Sequence, residues 1–424
     1  MRRRPIVNEV RNLFSRIWYV WLILSLVSLV GVTWGNYYYA AHNPGGNDFL
    51  VHWVGTRSLL VDGVSPYSDE VANRIQTLAY GRPARPGEHE LRVAYPLYSA
   101  IIFLPYALIG DFTLARALWM TTLEFFLVLM AFLNLRLTRW KLNAWMMPFY
   151  LFYSIFWYYS LRALINGNAI ILVTLLISGA FAALRSGRDE LAGILLAFAT
   201  IKPHVVVVIL LYILVWTLSQ RRWRTMLWLL ITVGLLSASA ALFLPDWPLQ
   251  NLREVLRYSS YNPPGTPGAV FATWLPASGR TFGWVLSGLL ILLLFVEWSF
   301  ARNKEFRWFL WTGSLTLVAS QWIGIQTDPG NFILLFLPLV LTWAVLEEHW
   351  GHRGRPVIWL VMVITFAGLW ALFLRTLTYA DQPLQNPIMF FPLPLFLFVV
   401  LYWVRWWAIR PVRLLIEDLR DFEE

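Results

Sequence analysis

Apolar residues recur in long unbroken runs along the whole chain, at about 17–34, 114–135, 144–160, 169–184, 226–244, 281–301, 308–325, 332–346, 357–377 and 388–407. Runs of this length cross a hydrocarbon layer as helices. They are continuous rather than alternating, which excludes a transmembrane barrel, and in lipid only helices and closed barrels satisfy the backbone. The pattern therefore predicts an all-α integral membrane protein, a polytopic helical bundle. One more apolar stretch, 191–216, is interrupted by Lys202-Pro203-His204. Proline removes a backbone donor there and disfavours helix in the residue before it.

Charge decides how the broken stretch runs. Arg185 and Arg188 precede it, and Arg221, Arg222 and Arg224 follow it. Short basic connections mark the cytoplasmic side of helical membrane proteins. With both clusters on that side, the stretch enters and returns as a broken hairpin with Lys202 at its tip. The other connections then alternate consistently, which predicts about twelve membrane helices and both termini in the cytoplasm, in a cell inner or plasma membrane. A single transmembrane domain over 1–424 is expected. Its non-cytoplasmic face carries a first outer loop, 35–113, a second, 245–280, and the corners 162–168, 326–331 and 378–387. Behind Arg2, Arg3 and Arg4 the first run has no small-residue cleavage site after it, so it reads as a retained anchor.

Composition narrows the function classes. Hydrophobic residues make up 58% of 424 positions and charged ones 14%, with 25 Trp, more than a soluble core needs. Cysteine is absent, which excludes disulfides, thiolate metal sites and cysteine nucleophiles. The net charge of +10 lies in short clusters between spans, with no stripe to follow a phosphate backbone, so nucleic acid is not an expected partner. Span interiors carry few ionisable groups, Glu124 and Glu297 being exceptions. No internal repeat of the kind many transporters show is evident.

The first outer loop is the richest in candidate chemistry. Asp48, His52 and Thr56 recur every four residues on one helical face, while Phe49, Trp53 and Leu60 lie on another. This predicts an amphipathic interfacial helix over 48–62, and a second interfacial helix over 95–109 opens at Tyr95-Pro96. Glu88, His89, Glu90 and Arg92 form a polar stretch between them, in which Glu88, His89 and Glu90 read as a solvated loop. Asp48 caps a helix, serves as a general base at the water–lipid boundary, or does both. Lys202 either snorkels at a helix end or pairs with the phosphate of a lipid substrate. Arg57, Arg116 and Arg162 fall at outer helix ends, where a phosphate could be met. Asn166-Gly167-Asn168 reads as a cap with a turn glycine, and Asp328, in the corner that starts at Gln326, caps a helix or holds a sugar hydroxyl. His204 has no His, Asp or Glu at ligand spacing, so neither a metal nor another cofactor is expected. No phosphate-binding glycine loop, zinc-protease motif or nucleophile elbow is present.

Taken in order, Asp48-Phe49-Leu50-Val51-His52-Trp53, Leu59-Leu60-Val61-Asp62-Gly63-Val64-Ser65-Pro66-Tyr67, Tyr95-Pro96-Leu97, Asn166-Gly167-Asn168, Ala192-Gly193-Ile194-Leu195-Leu196 and Ile201-Lys202-Pro203-His204 resemble glycosyltransferase family 87. The resemblance covers most of residues 30–345. It implies a GT-C fold and α-mannosyl transfer from a polyprenyl-phosphate-linked donor on the non-cytoplasmic face to a lipid or glycan acceptor. It also implies Asp48 as the general base and Lys202 as a phosphate contact. Arg57 and Arg162 are further candidates for the donor phosphate, and His52, Tyr95, Asn168, His204, Gln326 and Asp328 for the acceptor or sugar. Leu97 stands where a second proline is common, and the 326–331 corner lacks a histidine that some members place there, so the group assisting Asp48 stays open. Two other functions are alternatives: a transporter or flippase for lipid-linked sugars, which needs cations and polar groups along a crossing path, and a glycan polymerase or ligase, which also places its site outside.

Overall fold

Helices make up nearly all the regular structure in the computed structural model, which describes residues 4–261, 265–379 and 383–410. Among the described residues, six stretches are long and apolar enough to cross a membrane: Trp18–His42, Phe112–Thr138, Arg224–Phe243, Gly279–Ala301, Pro329–Thr376 and Pro387–Ile409. Shorter apolar helices accompany them at Leu97–Ala107, Met146–Phe156, Ile170–Arg185 and Pro203–Ser219. Strand among the described residues is confined to Thr378–Tyr379, antiparallel to Pro383–Leu384. Leu235, Leu242 and Phe295 are 67%, 85% and 68% exposed on their spans. Apolar surface of this kind is what a bilayer, not water, solvates.

The centre is built from Ile170–Arg185, Phe306–Ala319 and Phe336–Trp350, each buried along nearly its whole length. Phe112–Thr138 packs between this centre and the N-terminal helix. Glu124 and Glu297, inside spans, are both satisfied. Glu124 Oε2 accepts from Asn36 Nδ2 at 2.9 Å, and Glu297 accepts from Arg405 Nη2 at 2.9 Å and from the Tyr402 hydroxyl at 3.2 Å. Unpaired, either would be costly at such a depth.

Pro203–Ser219 follows Asp189–Ala199 after a break at which Lys202 has φ −120° and ψ 73°. The connections that flank this pair of helices meet. Arg222 pairs with Asp189 and donates to Leu184 O at 2.8 Å, and Arg224 Nη1 lies 3.2 Å from Glu190 Oε1. The two basic clusters thus share one end of the molecule, away from Lys202.

The structure differs from the expected pattern in three respects. The run at 144–160 is not one helix: Trp157, at φ −57° and ψ 142°, divides Met146–Phe156 from Tyr158–Asn166. No glycine or proline marks the break; it is made by packing, with the buried Trp157 ring 5.6 Å from Tyr153 and 5.2 Å from Tyr159. The helix after Asp48 is not amphipathic in its surroundings, because every residue from Phe49 to Thr56 is buried. Its polar face is turned into the protein. The outer loops also hold three helices that the apolar pattern does not reveal, Asp69–Tyr80, Trp247–Tyr261 and Pro267–Trp274.

Candidate active site

The Asn47–Arg57 helix begins directly after Gly45 and Gly46, whose φ values are 120° and 78°. A Cβ on Gly46 would lie 2.6 Å from Arg116 Nε, so glycine is required twice over, by conformation and by space. Arg116 is buried beneath this turn. It donates from Nη1 to Asn43 O at 2.9 Å and from Nη2 to Ile165 O at 3.3 Å, and its guanidinium lies 5.8 Å from the Tyr39 ring. Arg116 is a tie between backbone segments, not an arm reaching for phosphate. The next residue but one, Asp48, follows the turn; no side chain caps the helix, so the capping role expected of Asp48 is not the one it fills.

Phe49 fixes what Asp48 meets. Its ring stacks on Phe112 and Trp119, both at 5.9 Å, and its Cβ sits 2.5 Å from where a Cβ on Gly167 would be. Gly167 has φ 66°, and its carbonyl accepts from Trp119 Nε1 at 2.8 Å. Only glycine permits this contact between the helix and the 166–168 corner. Asp48 is thereby set beside Asn168, whose side chain hydrogen-bonds to it.

Asn168 is the hinge of the polar centre. Its Oδ1 accepts from Lys202 Nζ at 2.7 Å and from the Ile170 backbone N–H at 2.9 Å, which leaves its Nδ2 to donate to Asp48. Asn331 Oδ1 also accepts from Lys202 Nζ, at 2.9 Å, while Asn331 Nδ2 donates to Thr327 Oγ1 at 3.1 Å. Two amides thus turn their oxygens to one ammonium. Arg162 Nη2 lies 3.4 Å from Asp328 Oδ1, and Arg162 Nη1 donates to the Tyr158 hydroxyl at 3.3 Å. Asp328 also accepts from Gly330 N at the head of Pro329–Leu335, so it caps and pairs at once.

Burial pushes the Asp48 carboxyl above its ordinary range, and the Asp328 charge adds to the rise, while Lys202, Arg162 and the Asn168 hydrogen bond pull it back. Burial lowers the Lys202 ammonium to about 8, against the pull of Asp48 and Asp328. The two shifts converge, the carboxyl upward and the ammonium downward, as burial of two opposite charges dictates.

His52 lies one turn after Asp48, its ring 3.9 Å from Phe103 and 4.1 Å from Tyr95. Burial, together with the Lys202 charge, lowers its pKa to about 3, so it is neutral. Its buried Nε2 has no hydrogen-bond partner among the described residues. Lys202 Nζ lies 5.9 Å from the Tyr95 ring, which joins His52 to the cationic group. Gln326 stands where the corner meets the second outer loop, its Cγ 3.1 Å from a Cβ placed on Gly265. His204 is exposed in the first turn after Pro203. Arg57 does not join the group. Its Nη1 donates to Ala107 O at 3.0 Å and its guanidinium lies 5.8 Å from Trp53, beside Asp62, Glu70 and Arg74. It serves locally, between the two helices it links.

A second polar cluster escaped the reading of the sequence. Arg92 and Glu254 are both buried and join at 2.6 Å, Arg92 Nη2 reaches Asp69 at 2.6 Å, and Arg257 pairs with Glu90 at 2.8 Å. The stretch expected to be a solvated loop is thus clamped to the Trp247–Tyr261 helix. The Tyr98 hydroxyl, 2.9 Å from Thr200 Oγ1, ties the same loop to the hairpin tip. The separation in sequence is the reason: Arg92 and Glu254 lie 162 residues apart, and no local pattern announces such a pair.

Fold and site together define an integral membrane protein with two carboxylates and two cations gathered in a polar centre among otherwise apolar helices. Residues 94–320 match the model of glycosyltransferase family 87, and the chain belongs to that family. It is therefore a membrane glycosyltransferase, which uses a sugar donor and an acceptor. No curated protein and no solved structure matches the chain.

Proposed function

We propose that the protein moves a sugar, mannose, from a polyprenyl-phosphate-linked donor to a lipid or glycan acceptor on the non-cytoplasmic face, with Asp48 as general base. The observation that carries this reading is the meeting of Asp48 with Lys202 and Arg162 through Asn168. In the step, the acceptor hydroxyl oxygen forms a bond to the anomeric carbon while its proton passes to Asp48. The bond from that carbon to the phosphate oxygen breaks, and its electron pair leaves with the lipid phosphate. One displacement inverts the anomeric centre. The leaving phosphate keeps its charge and needs cations rather than a proton, and Lys202 and Arg162 supply them without a metal. A raised carboxyl pKa brings the base closer to the working pH, which is where general bases act best.

The site lies at the end opposite the basic clusters around Arg185 and Arg222, which supports an outer-facing site and cytoplasmic termini under the usual charge asymmetry. Twelve crossings follow if Pro329–Thr376 crosses twice and 146–166, Ile170–Arg185, Asp189–Ala199, Pro203–Ser219 and Phe306–Ala319 enter the membrane beside the other five long stretches, all within one GT-C-type domain. Transfer by the purified protein from a panel of polyprenyl-phosphate sugars to a membrane extract tests the reading. Wild-type transfer that Asp48→Asn abolishes, at unchanged thermal stability, is expected. Equal transfer by both proteins would remove Asp48 from its role.

A further inference from the structure

The first outer loop folds back on itself behind Asp48. Asn47–Arg57 continues as a π turn, Ser58–Asp62, and after a corner the Asp69–Tyr80 helix returns beside it. Single π turns are frequent at functional sites. Between the two arms lies a cavity of about 590 Å³, lined from Asp62 and Glu70 at the corner to Trp53 and Leu78 at the open end. Its size is that of a small-ligand site. Arg57 follows Asp48 by nine residues, about two and a half turns at 3.6 residues per turn, so the cavity lies on the face of the helix opposite Asp48. The transfer chemistry has no use for it.

The groups along the cavity come in a definite order. At the corner, Arg74 reaches Asp62 Oδ2 at 2.5 Å and Glu70 Oε1 at 2.6 Å. Those carboxylates stay 40% and 58% exposed, and each gives Arg74 one oxygen, which leaves both free to accept from a further donor. Arg57 stands between the corner and the open end. Its Nη1 donates to Ala107 O and its guanidinium lies beside the Trp53 ring, but no carboxylate pairs with it among the described residues. Its Nε and Nη2 make no hydrogen bond to them. At the open end Leu78 is 61% exposed, and Leu108, next to the carbonyl that Arg57 holds, is 65% exposed. Ile101 and Leu104 continue that apolar stripe along the Ala100–Ala107 helix, the surface that an interfacial helix turns to lipid.

We propose that the cavity holds the headgroup of a bilayer phospholipid that carries a primary ammonium, a phosphoethanolamine ester, bound there and not consumed. Apolar rim, single unpaired cation and carboxylate pair follow the order of acyl chain, phosphate and ammonium in such a lipid. The phosphate takes the unused donors of Arg57, whose planar fork suits phosphate oxygens. The ammonium bridges Asp62 and Glu70. It has N–H donors for both carboxylates, whereas the quaternary nitrogen of choline has none, and a headgroup without an amine leaves the corner unfilled. The lipid thereby pins the helical hairpin to the interface from behind the helix that carries Asp48.

Native mass spectrometry of the full chain, delipidated in detergent, tests the assignment. Dioleoyl phosphatidylethanolamine, phosphatidylcholine and phosphatidylglycerol are added at equal concentration. Wild type is expected to retain the ethanolamine lipid at least about fivefold over the other two, as one charge-assisted hydrogen bond allows. Arg57→Gln, which keeps a donor for Ala107 O, loses that retention. Arg253→Gln, at an exposed cation of the Trp247–Tyr261 helix, keeps it. Asp62→Asn/Glu70→Gln still binds lipid but no longer prefers ethanolamine to choline, and it carries the test if Arg57→Gln does not fold. No sugar transfer is measured, so the outcome is independent of the role of Asp48. The proposal is overturned if the three lipids are retained alike, if Arg57→Gln retains lipid as wild type does, or if the acid variant keeps the preference. Displacement of the lipid by inorganic phosphate at equal concentration would also overturn it, by making this a site for a free anion.

Discussion

Two buried cations come from the outer loops and the hairpin tip, and they are treated in opposite ways. Arg92 is matched by carboxylates: Glu254 and Asp69 take its Nε and Nη2 at 2.6 Å, and Glu90 lies 3.8 Å from Nη1. Lys202, equally buried, is given two neutral amide oxygens, with Asp48 held beyond Asn168. A guanidinium forked between carboxylates is a finished structural joint. An ammonium that keeps an acid near but unpaired carries a shifted pKa and unspent electrostatic attraction, which is useful only if something charged arrives. The difference separates a clamp from a site, and each variant below is expected to affect one and spare the other.

The largest effect falls on the site. Asp48→Asn keeps the shape and a hydrogen-bonding group but cannot accept the proton, so kcat should drop by roughly 10²–10⁴. Thermal stability should be unchanged or slightly raised, since a desolvated carboxylate is removed. A fall in stability as large as that of a clamp variant would put Asp48 in the same class as Arg92.

Lys202 comes next, and its pH dependence separates charge from structure. In wild type, activity should fall as pH rises through about 8, because the lowered pKa lets the ammonium lose its proton there. Lys202→Arg stays charged over that range, so the alkaline fall should move to higher pH even if the rate at neutrality is lower. An alkaline limb identical in both proteins would assign it to another group. At the clamp, Arg92→Met should leave Glu254 buried and uncompensated, costing about 3 kcal/mol by the loss typical of a broken buried pair. Thermal unfolding in detergent measures it. A variant as stable as wild type would mean that the clamp is not closed in solution.

The same contrast explains what could be read from the sequence. The membrane class was legible because long apolar runs have one physical meaning, and Asp48, Lys202, Arg162, Asn168 and Asp328 were legible as polar residues at helix ends facing one way. The Asp69–Tyr80 helix was legible but missed. It has a Ser68 cap accepting from Val71 N, acids at Asp69 and Glu70, and Gly81 at its end. The break at Trp157 and the pairing of Arg92 with Glu254 were not legible, because each is decided by residues far away in the chain. Arg57, Arg116 and Arg162 look alike in sequence, and only packing distinguishes them: Arg116 sits under Gly46, Arg57 on Ala107 O, and Arg162 beside Asp328.

The smallest expected effect tests the site's electrostatics most directly. The charge on Asp328 raises the Asp48 pKa, whereas Asn at 328 still caps Pro329–Leu335, because an amide oxygen accepts from the Gly330 N–H as a carboxylate does. Asp328→Asn therefore removes a like charge without removing the cap. The sign follows. Asp48 must be deprotonated to act, its pKa falls when Asp328 is neutralised, and so the acid limb of the rate profile moves to lower pH. The same substitution frees Arg162 from its 3.4 Å pairing, which favours a bound phosphate and should leave the maximum rate within a few-fold of wild type. A rate profile at fixed ionic strength, run from pH 4 upward in steps of about half a unit, resolves a shift of the size one removed charge produces. An acid limb that stays in place would mean that Asp328 does not act on the base, and the corner would then be a cap with an arginine beside it and nothing more.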